Sequence, residues 1–265
     1  LQQQAALDPV ARAVAAQRAL LSHRDAAGDV LRGRVALEPE RRARQREVDE
    51  QVARLAGAPA VLAESRALAE TTALRDDWTL LARQVGQREL TAPESDLGHR
   101  LLVEQTLQLI DLVADASGLG AGGDAEAAWL ASLATHGLPR LTAGIATLEP
   151  VGVDVHAGPR RGAAAEAALA RALQRLTHGL EAAPRPQPLL AATVADAGAT
   201  ATRYFERRHE GPEADARSAR QAALQAQDRL HDAARDALAA SIAGRIADAR
   251  LARDVLLALM ATLAL

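Results

Sequence analysis

Three glycines, Gly118, Gly120 and Gly123, fall in the stretch DASGLGAGGDAEAAWL at the G-x-G-x-x-G spacing that cradles the phosphates of a dinucleotide. That chemistry needs a strand before the loop and a helix after it, so that the phosphate meets a helix N-terminus. An amphipathic helix precedes these glycines instead. Between two helices, glycine supplies a positive φ at a C-cap and a tight reversal. The loop is therefore expected to be a bend, and no cofactor is assigned to it.

The remaining chemistry-bearing residues are scattered. His23, His99, His136, His156, His178, His209 and His231 include no pair spaced by three or four residues. The common zinc and haem signatures are accordingly missing. Glu206 and His209 form one Glu-x-x-His, whereas a di-metal bundle site needs two such pairs and two further carboxylates. There is no cysteine and no G-x-S-x-G elbow. The chain is not expected to be an enzyme, and no catalytic residue or metal ligand is assigned.

One position stands apart: Arg24, in LLSHRDAAG. It lies on the apolar stripe of the first helix, with Leu21 before it and Gly28 one turn later. A guanidinium facing a bundle interior needs a counter-charge and acceptors, or it is strongly destabilising. Gly28 is expected to leave room beside it. Two kinds of reading follow: an anion-binding pocket between helices, or a structural role, either an ion pair with an acid on a facing helix or a side chain that snorkels out to water. Arg24, with His23 beside it, is the candidate ligand contact, and the partner it implies is a small anion.

Most of these residues fall on expected helices. Hydrophobic residues make up 49% of the 265 but aromatics only 2%, and Ala, Leu and Arg dominate, which favours helix over strand. Asp8-Pro9 reads as the start of the first helix, an N-cap followed by Pro at the first helical position. Val10, Val14, Gln17, Leu21, Arg24, Gly28, Leu31 and Val35 then make a heptad-like stripe. Glu38-Pro39 breaks it, and a second helix runs to about Leu55. A third runs from about Val61 to Arg88.

TAPESD opens a fourth helix, with Leu102, Val103, Leu107, Leu109, Ile110 and Val113 opposite Glu104, Gln108, Asp111 and Asp115. Asp124 caps a fifth, in which Pro139 predicts a kink rather than an end. A sixth spans about Gly162 to Ala182 and a seventh Leu189 to about Arg208, its stripe formed by Leu190, Val194, Ala197, Ala201 and Tyr204. The eighth and longest starts near Glu213 and carries Leu230, Ala234, Leu238, Ile242 and Ile246 on one face. VGVDVH (Val151 to His156) alternates as a strand would, but lacks a pairing partner and reads as a linker. The fold class is all-α. An elongated antiparallel bundle, or two four-helix bundles end to end, accommodates helices of this length.

The formal charge is −3, and no basic patch interleaves with aromatics, so nucleic acid is not an expected partner. All 31 basic residues are Arg, which reads as a GC-rich coding sequence rather than as chemistry. The chain opens LQQQAALDPV without Met, and its last eleven residues, 255–265, carry no charge. That run is shorter than the ~20 apolar residues of a membrane span. It reads as the start of a second transmembrane helix, with residues 1–254 as the domain before it.

QRALLSHRDAAGDVLRG, followed by RRARQREVDEQVARL, resembles the first helical hairpin of periplasmic sensor domains of bacterial transmembrane receptors. His23 and Arg24 match the His-Arg of their Q-x-H-R-G-L-S pattern, while Asp25 replaces its Gly and Ala26-Ala27 its Leu-Ser. The stretch is also distantly similar to the E-R-G-L-S of nitrate- and nitrite-sensing domains. A second match runs through Asp115, Ser117, Leu119, Asp124, Trp129, Leu130 and Leu138-Pro139, with Gly122-Gly123 where the family has Asp-Pro and Ala128-Trp129 where it has Tyr-Tyr. AARDALAASIAGRIADAR is similar to the segment that leads such domains into the membrane.

The resemblance implies an extracytoplasmic sensing domain in the periplasm, anchored in the bacterial inner membrane and working as a homodimer. It would pass a ligand-induced helix displacement to a cytoplasmic module of the chemoreceptor, histidine kinase or diguanylate cyclase type. The alternative is a scaffolding bundle that presents a surface to another protein and binds no small molecule.

Overall fold

The computed structural model describes residues 2–57, 65–120, 125–148, 159–181, 188–210 and 212–263, and among them there is helix and no strand. The elements are α1 (Gln2–Leu31), α2 (Glu38–Ala56), α3 (Ser65–Gly86), α4 (Ala92–Ala116), α5 (Ala125–Ser132), α6 (Leu138–Thr147), α7 (Pro159–Glu181), α8 (Pro188–Glu210) and α9 (Glu213–Leu263). A π-helical turn, Leu133–Gly137, joins α5 to α6, so the described residues form eight rods in a helical bundle. Pro139 accounts for that turn. It has no N–H for the carbonyl four residues back, and its ring crowds that carbonyl, so the backbone widens by one residue and then resumes. As expected, Pro139 does not end the helix, which continues through a π-helical turn into α6. The start expected for the fifth helix at Asp124, the end expected for the sixth at Ala182 and the VGVDVH linker lie outside the described residues.

The first helix differs from expectation at its start. Asp8-Pro9 does not open it; α1 already runs from Gln2, with Pro9 inside. The loss of one hydrogen bond at Pro9 is offset by what the early turn buries and bonds. Ala6 is fully buried, the Gln3 amide donates to the Gly118 carbonyl (2.7 Å), and Arg245 of α9 donates to Gln3 Oε1 (2.9 Å).

Helix α1 is the central rod. Val10, Val14, Gln17, Leu21 and Arg24 of its expected stripe are buried, but so are Ala13, Ala16, Leu20, His23 and Ala27 on other faces. It packs on α2, on α4 and on α9. Arg18 of α1 pairs with Asp228 (2.7 Å), Asp25 with Arg220 (2.8 Å), and Gln3 bonds Arg245, so α9 runs antiparallel to α1. The stripes read for α4 and α8 are buried as expected, and that of α9 holds through Ile242. Small residues dominate these seams and let the helices approach closely. Beyond Ile246 the side chains of α9 described for burial are all exposed, including Leu251, Val255, Leu256, Leu257, Leu259 and Met260.

Candidate functional site

The glycine stretch closes α4. Gly118 has φ +61°, its N–H bonds the Asp115 carbonyl (3.1 Å), and the N–H of Leu119 reaches back to Ala114 (3.0 Å). This double bond pattern around a left-handed residue terminates a helix, and both Leu119 and Ala114 are buried there. The Gly118 carbonyl accepts from Gln3. What lies at these glycines is a helix end tied to α1. Gly123 falls outside the described residues.

His23 and Arg24 are neighbours on α1 and therefore point about 100° apart. On the His23 side, Nδ1 lies 2.8 Å from Nε2 of His99, and His99 Nδ1 lies 2.6 Å from the carbonyl of Ser95. A carbonyl only accepts, so His99 carries its proton on Nδ1, and its Nε2 accepts from the N–H of His23. His23 Nε2 is then a bare acceptor, buried and without a partner. Trp78 stands edge-on to His23 at 5.0 Å between ring centroids and donates its indole N–H to Asp49 (2.7 Å). Both imidazoles are fully buried. Burial, then the neighbouring His99 and Arg41, pushes His23 down to about 2, and burial takes His99 down to about 4. The pair is neutral and acts as a hydrogen-bonded brace between α1 and α4.

On the Arg24 side the hydrogen-bonding partners are charged or strongly polar. Arg24 is 4% exposed; its Nε donates to Asp96 (2.5 Å) and its Nη1 to the Ala146 carbonyl (2.7 Å). Ala146 lies in the last turn of α6, where carbonyls have no partner within the helix and the dipole favours a cation. Arg220 of α9 donates to that same carbonyl and grips Asp25 with both terminal nitrogens (2.8 and 3.1 Å). Next to it, the Tyr204 hydroxyl donates to the carbonyl of Leu148. Four helices, α1, α4, α8 and α9, thus meet at the end of α6. The room expected over Gly28 is taken by Arg32, whose Nη2 stands 3.3 Å from where a Cβ would be; Asp96 and Ala146 surround Arg24 instead.

Arg24 also reaches the wall of a cleft of about 340 Å³ between α1, α4 and α6. Leu21, Val103, Leu107 and Ala143 give it an apolar floor, and Arg100, Glu104 and Arg140 edge it. Asp96 bridges Arg24 to Arg100 (2.7 Å), and Asp111 holds both terminal nitrogens of Arg140 (2.6 and 3.3 Å). Bonding to Asp111 raises the Arg140 pKa further, with Glu104 adding to it. Clefts of roughly 300 Å³ and above hold small molecules. His23 does not line it.

The structure therefore brings Arg24 to a cleft and turns His23 away from it. Sequence reasoning missed Asp25, Asp96, His99, Arg100, Arg140 and Arg220. Two signals were present: Ser95 with His99 and Asp96 with Arg100 are four apart on one helix, a spacing that brings side chains together. The Glu206–His209 pair does not assemble, since His209 bonds Glu166 of α7 (2.8 Å). Among the described residues, no three acids, histidines or cysteines are grouped to hold a metal. Compared with models of protein families, with curated proteins and with solved structures, the chain matches none.

Proposed function

We propose that this chain is the extracytoplasmic sensing domain of a bacterial inner-membrane receptor, working as a homodimer and built as an elongated antiparallel bundle. One observation carries the reading. The Ala146 carbonyl is shared by Arg24, at the wall of the cleft, and Arg220, on the helix that runs out of the packed body. A small ligand whose anionic group meets the arginines of this cleft would redistribute bonds at Asp96 and Ala146. Arg220 would answer to that change, and α9 would carry the displacement over ~50 Å to Val255. From Val255 to Met260 the helix carries no charge, and its described side chains are apolar and exposed, which suits lipid or a protein interior. In this reading it begins the second membrane crossing, although no helix among the described residues is itself long and apolar enough to cross.

The absence of cysteine makes the test clean. Spin labels on Arg83→Cys of α3 and Arg250→Cys of α9 would report the distance between the two helices. Inorganic oxyanions, carboxylates and amino acids would first be screened by thermal shift, where saturation at one hundred times Kd adds ~2.7 kcal/mol. The expected result is a ligand that both stabilises the protein and moves the labels. A panel without response, or a stabilising ligand that leaves the distance unchanged, overturns sensing through α9. A scaffold is the second reading, favoured by a groove of about 390 Å³ between α3 and α4. Leu80, Leu97 and Leu101 are exposed on those two helices.

A further inference from the structure

The edge of the Arg24 cleft carries opposite charges one helical turn apart, and each has capacity left over. Arg100 is about half exposed (47%), and its described bond is from Nε to Asp96, which leaves its two terminal nitrogens as donors. Glu104, four residues on, lines the same cleft and makes no hydrogen bond or ion pair among the described residues; its charge is felt only at longer range, by Arg140. Arg140 is itself matched by two bonds to Asp111. The floor between them, Leu21, Val103, Leu107 and Ala143, is apolar.

An inorganic anion would leave this floor wet and would face the Glu104 carboxylate. A simple amine would face Arg100. A molecule bearing both a carboxylate and an ammonium, with a hydrocarbon arm, answers all three surfaces at once. We propose that the cleft between α1, α4 and α6 binds an α-amino acid with an apolar side chain, its carboxylate on Arg100, its ammonium on Glu104 and its side chain on Leu21, Val103, Leu107 and Ala143. Arg24 and Asp96 position Arg100 from beneath. This deepens the sensing reading by naming the ligand class and the contacts, and it stands or falls separately.

Calorimetric titration of the whole chain with L-leucine tests it, alongside leucine's two amputated analogues: isocaproate, which lacks the ammonium, and isoamylamine, which lacks the carboxylate. Leucine is expected to bind, and each analogue to bind roughly tenfold more weakly or worse. Arg100→Gln should weaken leucine by roughly tenfold or more, whereas Glu104→Gln should reverse the preference so that isocaproate exceeds leucine. Both positions are exposed, and circular dichroism melts of the two variants would verify that they remain folded. The proposal is overturned if leucine does not bind at millimolar concentration, if isocaproate matches it, or if both variants bind leucine as the parent does. Leucine that binds as expected without moving the α3–α9 labels sinks the receptor reading and leaves the cleft standing. A ligand that moves the labels equally in both variants does the reverse.

Discussion

His23 and Arg24 are consecutive residues of one helix, both buried, yet they occupy opposite kinds of interior. Around His23 the ring neighbours are another imidazole, itself bonded to the Ser95 carbonyl, and an indole edge; burial, with Arg41 nearby opposing a positive charge, keeps His23 neutral. Around Arg24 a carboxylate and a helix-terminal carbonyl are aimed at the guanidinium, and a cleft opens beside it. A group that can shed its charge adapts to a dry site, whereas arginine cannot and must be met by acceptors. Those acceptors come from α4 and α6, and Arg220 of α9 shares one of them, so the charged side ties four helices together, whereas the hydrogen bond on the neutral side joins two.

Several experiments would break or sharpen this contrast, and the largest effect is expected on the charged side. Asp96→Ala removes the carboxylate that meets the buried Arg24 guanidinium, and should cost about 3–5 kcal/mol in denaturant unfolding. A loss below about 1 kcal/mol would mean that the guanidinium turns out to water and that the knot is not structural.

The neutral side should reveal itself through pH. His99 titrates near 6.5 when unfolded and near 4 when folded, so the folded form binds fewer protons across that window. Its contribution is complete above pH 6.5 and is lost as the pH falls from 6.5 through about 4, amounting to about 3 kcal/mol. His23 continues the loss below that, being lower still. Urea unfolding at a series of pH values measures the slope, and His99→Gln should flatten it. A parent slope as flat as the variant's would show that the pair is wet.

Trp78→Phe removes the indole bond to Asp49 and part of the wall around His23, and should cost about 1–2 kcal/mol. An equal loss in Trp78→Phe and Asp49→Ala would assign the whole effect to the hydrogen bond. The smallest effect belongs to the cleft edge. Arg100→Gln removes an exposed pair with Asp96 and should change stability by no more than about 1 kcal/mol. A larger cost would make Arg100 part of the knot rather than an edge held ready for a ligand.

Much of the fold was legible along the chain because helix signals are local. The stripes of α4 and α8, the turn at Pro139 that interrupts its helix without ending it and the bend at Gly118 follow from periodicity, a missing N–H and a positive φ. The start of α1 was misread for the complementary reason. Asp8-Pro9 is a sound local start signal, but Gln3 bonds to the Gly118 turn and to Arg245, and Ala6 is buried, so contacts distant in sequence carry the helix through it. Arg24 could be singled out because an arginine on an apolar stripe demands an explanation. Asp25 showed only as a departure from the pattern the hairpin resembles, and the structure gives it a partner, Arg220, 195 residues away.

The residues alone determined that the chain is helical, where most of its rods run, and that Arg24 lies on an apolar stripe where a guanidinium needs either acceptors or a way out to water. Only the packed structure decided which acceptors these are, that His23 turns away from them, and that Arg100 and Glu104 edge a cleft with an apolar floor. The reason is physical: propensity and periodicity act within a few turns of one helix. Partners for a buried charge are supplied by whichever helix ends and carboxylates packing brings within 3 Å, and no local rule specifies that.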